Sequence, residues 1–266
     1  MSRTYKGLRE KYKDRFPIAT TLHEVLHNKR VSHQACDNII DAMKNIKITD
    51  NPVEGVRDCL REELEDAFEG VLYCLGIDIV EDANSIGTPK RLAKMYLDEL
   101  LKGRTYEGPS ITTFPNVKSP LIGNAAPSKA HEGNVFHLNN LLVVKAPFIS
   151  MCSHHLQPVK GCAYIGIIPG KRLMGLSKYT RLVRHLAERG TLQEELTLSI
   201  VEELSKVSQS DNIGVVVYAS HGCCENRGIQ VHDSTTTTAE MRGLFMSNKS
   251  LREELYANIA NMRKEG

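Results

Sequence analysis

Apolar positions along the chain fall into two kinds of pattern, helical spacing in its first half and short dense runs in its second. Residues 1 to about 50 are polar and carry several basic side chains, with one modest helical pattern through Ile39, Ile40 and Met43, which predicts an arm with a short helix. A stronger start follows. Asp50 and Asn51 are cap candidates, Pro52 suits a first turn, and Leu64, Phe68, Val71, Leu72 and Leu75 then recur until Gly76 offers a stop. Thr88-Pro89-Lys90-Arg91 repeats the logic of a cap followed by proline, opening a helix with Leu92, Met95, Tyr96 and Leu100 on one face.

Gly108 to Gly133 is rich in Pro, Ser, Asn and Gly without periodicity, the composition of an exposed connection. Beyond it, Val135 to Val144, Gly161 to Ile168 and Ile213 to Ser220 are short runs rich in β-branched residues and bounded by turn formers, hence strands. Two helices, Ser177 to Arg189 and Leu192 to Val207, separate the second strand from the third. Thr235 to Thr238 reads as a Thr-rich strand or loop. The sum is an α+β chain with an arm at 1–50, a helical region at 51–107, a connection at 108–134 and a domain of strands and helices at 135–266.

Composition narrows the class. With 266 residues and 41% hydrophobic content the chain can bury a core, which excludes collagen, coiled coil and disorder. Lys plus Arg number 34 against 32 for Asp plus Glu, a formal charge of +2. That balance gives no case for a nucleic-acid or anionic-membrane binder, which needs excess positive charge to displace counterions. Any anion must be held by a local cluster. No stretch has the apolar length of a membrane span, and the opening residues lack a signal-peptide centre, so the chain reads as cytosolic. Seven cysteines, an odd and scattered set, suit reduced thiols that fill the core or bind metal.

The most informative stretch is Cys152-Ser153-His154-His155, in which a thiolate and an imidazole three residues apart can share one tetrahedral zinc ion. A third donor is expected near a strand end, and His221-Gly222-Cys223-Cys224 follows the third strand directly. Cys152, His155 and either Cys223 or Cys224 would leave one coordination position open, as catalytic zinc requires. His154 and His221 would then flank the metal as proton carriers. Ser177, Lys178 and Arg181 stand at a helix start, where amide N–H groups and basic side chains suit a phosphate, and Arg227 adds a forked donor. In Gln193-Glu194-Glu195, a buried carboxylate could accept two hydrogen bonds from a guanine edge.

Cys-x-His-His, Gly-Leu-Ser-Lys-x-x-Arg, Leu-Gln-Glu-x-Leu-Thr, His-x-Cys-x-x-x-Arg-Gly and the upstream Thr-Pro-x-Arg occur in the order of the zinc-dependent GTP cyclohydrolase I family, which the chain resembles from about Asp50 onward. The resemblance implies a tunnelling fold, an antiparallel sheet backed by helices and preceded by a helical region, assembled as a toroidal homodecamer with sites between subunits. It implies one zinc per subunit on Cys152, His155 and Cys223, the last chosen over Cys224 by the His-x-Cys pattern. It makes His154 and His221 the proton-transfer groups, Glu194 with Gln193 the guanine anchor, and Ser177, Lys178, Arg181 and Arg227 the triphosphate contacts, joined by Arg91 from a neighbouring subunit. The implied activity is hydrolytic opening of GTP to 7,8-dihydroneopterin triphosphate and formate.

The chain departs from the family pattern at Ser153, where many relatives carry an acidic residue, and at the spare thiol of Cys224. Two rival readings remain: another tunnelling-fold enzyme of pterins or deazapurines using a cysteine nucleophile, and an inactive zinc-binding structural homologue. The paired metal donors with Lys178, Arg181 and Arg227 weigh against the first, and both retained histidines weigh against the second.

Overall fold

The computed structural model describes residues 10, 12–26, 32–46, 51–116 and 140–264. The chain forms two compact units, 1–107 and 108–266.

The first unit is helical: α1 (Pro17–Leu26), α2 (Ser32–Asn45), α3 (Pro52–Cys74) and α4 (Thr88–Lys94), the last running on as a π-helical segment, Met95–Leu100. Asn51 caps α3, its side-chain oxygen accepting from the Glu54 N–H at 3.4 Å. The helix stops where Gly76 takes φ +72°, with the Gly76 N–H on the Tyr73 carbonyl and the Ile77 N–H on that of Leu72. At α4 the expected cap is displaced. Gly87 holds the cap position, and Thr88 is the first helical residue, its hydroxyl accepting from Arg91 Nη2 at 2.9 Å instead. Leu22, Ile39, Met43, Val56, Leu60 and Leu97 make this unit's core. The Glu63 carboxylate on α3 accepts from the Ile18 and Ala19 N–H groups, at 2.7 and 2.9 Å, so α1 is capped from another helix. The sequence expectation of a single short helix in the arm missed α1, whose start signal lies in that distant carboxylate.

The second unit is built on a four-stranded antiparallel sheet, β2 (Leu142–Met151), β3 (Pro158–Ile167), β5 (Ile213–His221) and β6 (Thr236–Met241), in that spatial order. A small pair, β1 (Thr113–Pro115) with β4 (Arg172–Met174), lies within the same unit, and the helices are α5 (Leu176–Ala187), α6 (Gln193–Ser208), α7 (Gly222–Glu225), α8 (Leu244–Ser247) and α9 (Lys249–Lys264). Both sheet faces are covered. Ile165, Val215 and Val217 point into a core with Leu182, Leu186, Ile200 and Leu204 of α5 and α6, while Tyr164 and Val216 pack against Phe245, Leu255 and Ile259 of α8 and α9. Two covered faces explain why β5 reads as a continuous apolar run rather than an alternation.

The first strand expected from sequence, Val135 to Val144, falls partly on positions 135–139, outside the described residues. The observed β2 begins later and absorbs Ala146-Pro147-Phe148-Ile149. Pro147 is tolerated because β2 is an edge strand, where a missing N–H need not break a ladder. Thr113–Pro115 pairs with Met174–Arg172 although its surroundings read as a connection, because a three-residue strand is too short to carry a period.

Candidate active site

The register of β3 against β5 brings two loops together. Val159 pairs with His221, so the turn leading into β3 lies beside the residues leaving β5. In that turn the Cys152 N–H donates to the Gln157 carbonyl at 2.9 Å, the Leu156 N–H returns to the Cys152 carbonyl at 2.8 Å, and Leu156 adopts φ +50°. On the other side α7 starts immediately after His221, and Gly222 is buried against the Pro158 carbonyl.

The outcome is a three-donor cluster. Cys152, His155 and Cys223 each offer one ligand atom, and these atoms all lie within 4.8 Å of one another, in the only such group found among the described residues. Cys152 is buried, Cys223 half-buried and His155 exposed, so the cluster has a closed side and an open one. Burial, with the neighbouring thiols of Cys152 and Cys224, pushes the Cys223 thiol up to about 11. Two sulfurs and an imidazole nitrogen within this span fit a tetrahedral soft or borderline ion with one position left for a further ligand. Cys224 also lies on α7, half-buried, outside that triad.

The histidines beside the triad differ in their surroundings. His154 is exposed, its ring 6.2 Å from that of His155 in an edge-on arrangement. His221 is half-buried, and its Nε2 lies 2.7 Å from Gln193 Oε1. Gln193 opens α6 and is 5% exposed; Glu194, beside it, is exposed. The sequence expectation of a buried carboxylate at this helix start therefore meets the reverse order, with the amide inside and the acid outside. Helical rotation is the reason: Gln193, Leu196, Thr197 and Ile200 share the face turned to the sheet.

Ser177, Lys178 and Arg181 lie on the first turns of α5. Ser177 does not cap it: Gly175 occupies the cap position and offers no side chain. Lys178 donates from Nζ to the Ser110 carbonyl at 3.0 Å, and Ser177 and Arg181 are exposed. Arg227 follows α7 and is exposed. Arg91 belongs to the first unit, where its guanidinium donates to the Asn84 carbonyl at 2.9 Å. Sequence reasoning passed over Thr197 and Thr238, which support Gln193: their hydroxyls lie 2.6 Å apart, and Thr238 Oγ1 is 3.2 Å from Gln193 Nε2. The signal was the Thr run itself, read only for its strand propensity.

The family model of GTP cyclohydrolase I matches residues 64–260. Among similar proteins, GTP cyclohydrolase 1 of Campylobacter jejuni is 36% identical over 208 residues, covering 77% of this chain and 98% of the relative. The protein of the same name from Shewanella loihica is 33% identical over 199 residues, 74% of this chain and 85% of its own length, and that from Vibrio cholerae is 33% identical over 195 residues, 73% and 82%. A match across both the helical region and the loops that carry the Cys-His-Cys triad establishes that this chain belongs to the GTP cyclohydrolase I family.

Proposed function

We propose that the chain performs its family's reaction, hydrolytic opening of the GTP imidazole ring, release of C8 as formate and rearrangement to 7,8-dihydroneopterin triphosphate, with Cys152, His155 and Cys223 holding one zinc ion per subunit. The observation that carries this reading is the three-donor cluster within 4.8 Å, flanked by His221 on the strand end that supplies Cys223. When bound, zinc would supply a water whose pKa is lowered to about 7 for attack at C8.

The chain's own groups do the rest. His154 and His221 carry protons to and from the purine nitrogens and the departing formyl group, a role suited to imidazole near neutral pH. The Glu194 carboxylate accepts from the N1–H and exocyclic amine of guanine, a pair of donors that adenine lacks. Ser177, Lys178, Arg181 and Arg227 hold the triphosphate at the start of α5, where the helix dipole adds to their charge. Lys178 must exchange its Ser110 carbonyl for a phosphate oxygen when the nucleotide enters. The catalytic part is assigned to 135–266, and Arg91 in the 51–107 region contributes to a site on a neighbouring subunit.

A closed homo-oligomer, a toroidal decamer with shared sites, is the assembly that suits the sheet. Its edges, β2 and β6, carry no strand partner on their outer sides among the described residues, and an open edge is a template for pairing with another copy. The exposed Ile149, Leu156 and Leu176 add apolar surface for such contacts. No described helix is long and apolar enough to cross a membrane, and a cytoplasmic location suits a chain in which Cys59, Cys74, Cys152, Cys162, Cys223 and Cys224 are free thiols.

Incubating GTP with the purified protein tests the reading. Formate and a pterin absorbance should appear together, stop on chelation and return with zinc; pterin formation undiminished after the metal is removed would overturn the metal assignment. Sedimentation should reveal a large closed oligomer, and a monomer with full turnover would overturn the shared site.

A further inference from the structure

We propose that Gln193 is a positioning residue for His221 rather than a contact to the guanine base: its carboxamide, keyed to β5 and β6, holds the His221 ring in the tautomer protonated on Nε2 and leaves the Nδ1 lone pair for the substrate. The inference rests on the assignment of His221 as a proton-transfer group.

The orientation of the amide follows from its neighbours. Gln193 Nε2 lies 3.2 Å from the Val217 carbonyl oxygen and 3.1 Å from that of Thr236. Carbonyl oxygens only accept, so the edge of the amide facing them must be its NH₂ group. The reverse orientation would set the amide oxygen against two carbonyl oxygens in a buried position, with no hydrogen between them. With the nitrogen so placed, Oε1 faces His221 Nε2 at 2.7 Å and can only accept. The ring nitrogen must therefore carry the proton, and in the neutral imidazole the lone pair resides on Nδ1.

Two threonines complete the lock. Thr197 Oγ1 donates to the Gln193 main-chain carbonyl at 2.8 Å, which frees it to accept from Thr238 at 2.6 Å. Thr238 Oγ1, having donated, then accepts from Gln193 Nε2 at 3.2 Å. Every hydrogen in the chain Gln193–Thr238–Thr197 has one consistent direction, and all of it runs through a residue 5% exposed. A side chain so enclosed, with both amide hydrogens already taken by β5 and β6, has no donor left for a purine. Base recognition falls to Glu194, which is exposed on the same turn.

The test compares kinetics with a spectroscopic signature in the zinc-loaded protein. Solid-state ¹⁵N spectra of the wild type, with the His221 signal identified by its loss in an H221A protein of unchanged circular dichroism, should report the Nε2–H tautomer; an Nδ1–H ring overturns the proposal. Gln193→Met keeps the volume and removes both hydrogen-bonding ends. It should lower kcat about tenfold to a hundredfold, part of the 10² to 10⁴ that a proton-transfer group supplies, and mix the His221 tautomers. KM for GTP should stay within about twofold, since no ground-state contact is lost. A raised KM with kcat held would return Gln193 to the base-binding role and sink the positioning one. If H221A itself turns over at the wild-type rate, the proton-transfer reading of His221 fails, an outcome separate from a silent Gln193→Met beside a crippled H221A, which sinks only the proposal.

Discussion

Gly222 and Pro158 meet so closely that a Cβ on the glycine would stand 2.9 Å from the proline's carbonyl oxygen and 3.1 Å from Asn226 Nδ2. This contact sets how near α7 can approach the start of β3, and so how near Cys223 comes to the turn that carries Cys152 and His155. The oxygen belongs to backbone inside the β2–β3 ladder and cannot swing aside. Gly222→Val should push α7 outward while the sheet keeps its register. Zinc affinity is expected to fall about tenfold to a hundredfold, the usual cost of disturbing what orients metal ligands, with an unchanged far-ultraviolet circular dichroism spectrum. Equal affinity in the variant would show that Gly222 does not set the ligand position.

The same helix carries two adjacent thiols, and only one falls in the triad. Replacing Cys223 with Ser should abolish stoichiometric zinc by elemental analysis, whereas Cys224→Ser should retain it. A tetrahedral ion tolerates donor displacements of only a few tenths of an ångström, which adjacent positions on a helix cannot both satisfy. The reverse pattern would make Cys224 the ligand.

Zinc affinity should climb with pH. The Cys223 thiol, pushed up to about 11 by burial and its thiol neighbours, holds its proton through the neutral range, and that proton must leave before sulfur can bind. A raised pKa thus penalises the metal at low pH and the penalty shrinks as pH rises. Each displaced proton makes affinity improve about tenfold per pH unit. Competition against a chelator between pH 6.5 and 8.5 (about two units) would read this slope; a flat profile would mean that the thiol is already ionised.

The Glu194 carboxylate is exposed at the start of α6 and is assigned the guanine edge. Glu194→Ala should weaken GTP by about 2–3 kcal/mol, the loss expected for hydrogen bonds to a charged acceptor. Inorganic triphosphate, which has no base, should bind as before. Calorimetric titration with both ligands separates the cases, and equal weakening would remove the base-anchor role.

What could be read in the sequence was whatever is local. Pro52 and Gly76 bracket α3 because caps and left-handed stops are decided within one turn, and the β5 run stands out because both its faces are buried. The triad's members were legible as residue types at suitable spacings. What decides which of them meet is the pairing of Val159 with His221 across strands distant in sequence, and spacing carries no trace of it. The Gln193 lock escaped for the same reason. A glutamine beside a glutamate at a helix start invites one role for both, and only the rotation of α6 against the sheet separates the buried amide from the exposed acid. The C-terminal helix was missed despite Leu251, Leu255, Ile259 and Met262 at helical spacing, because polar residues (Arg252, Glu253, Glu254, Asn258 and Asn261) fill most positions between them.

That helix is structural, and its key residue is Leu255. Gly166 and Gly214 face each other across β3 and β5, leaving a slot without side chains on that face of the sheet. Leu255 enters it: a Cβ on Gly166 would lie 2.7 Å from its Cδ1, and one on Gly214 would lie 3.0 Å from its Cδ2. Leu255→Ala removes a fully buried side chain and should cost about 2–5 kcal/mol of transfer and cavity energy. In a unit of this size that lowers the melting temperature by roughly 4–20 °C. Gly166→Ala alone overpacks the slot and should cost about 1–3 kcal/mol. In the double variant the new methyl occupies the space the leucine vacated, so the loss should fall short of the sum of the two. A coupling of about 0.5 kcal/mol or more in a denaturant double-mutant cycle would establish the fit, and strict additivity would show that α9 reaches the sheet by some other contact.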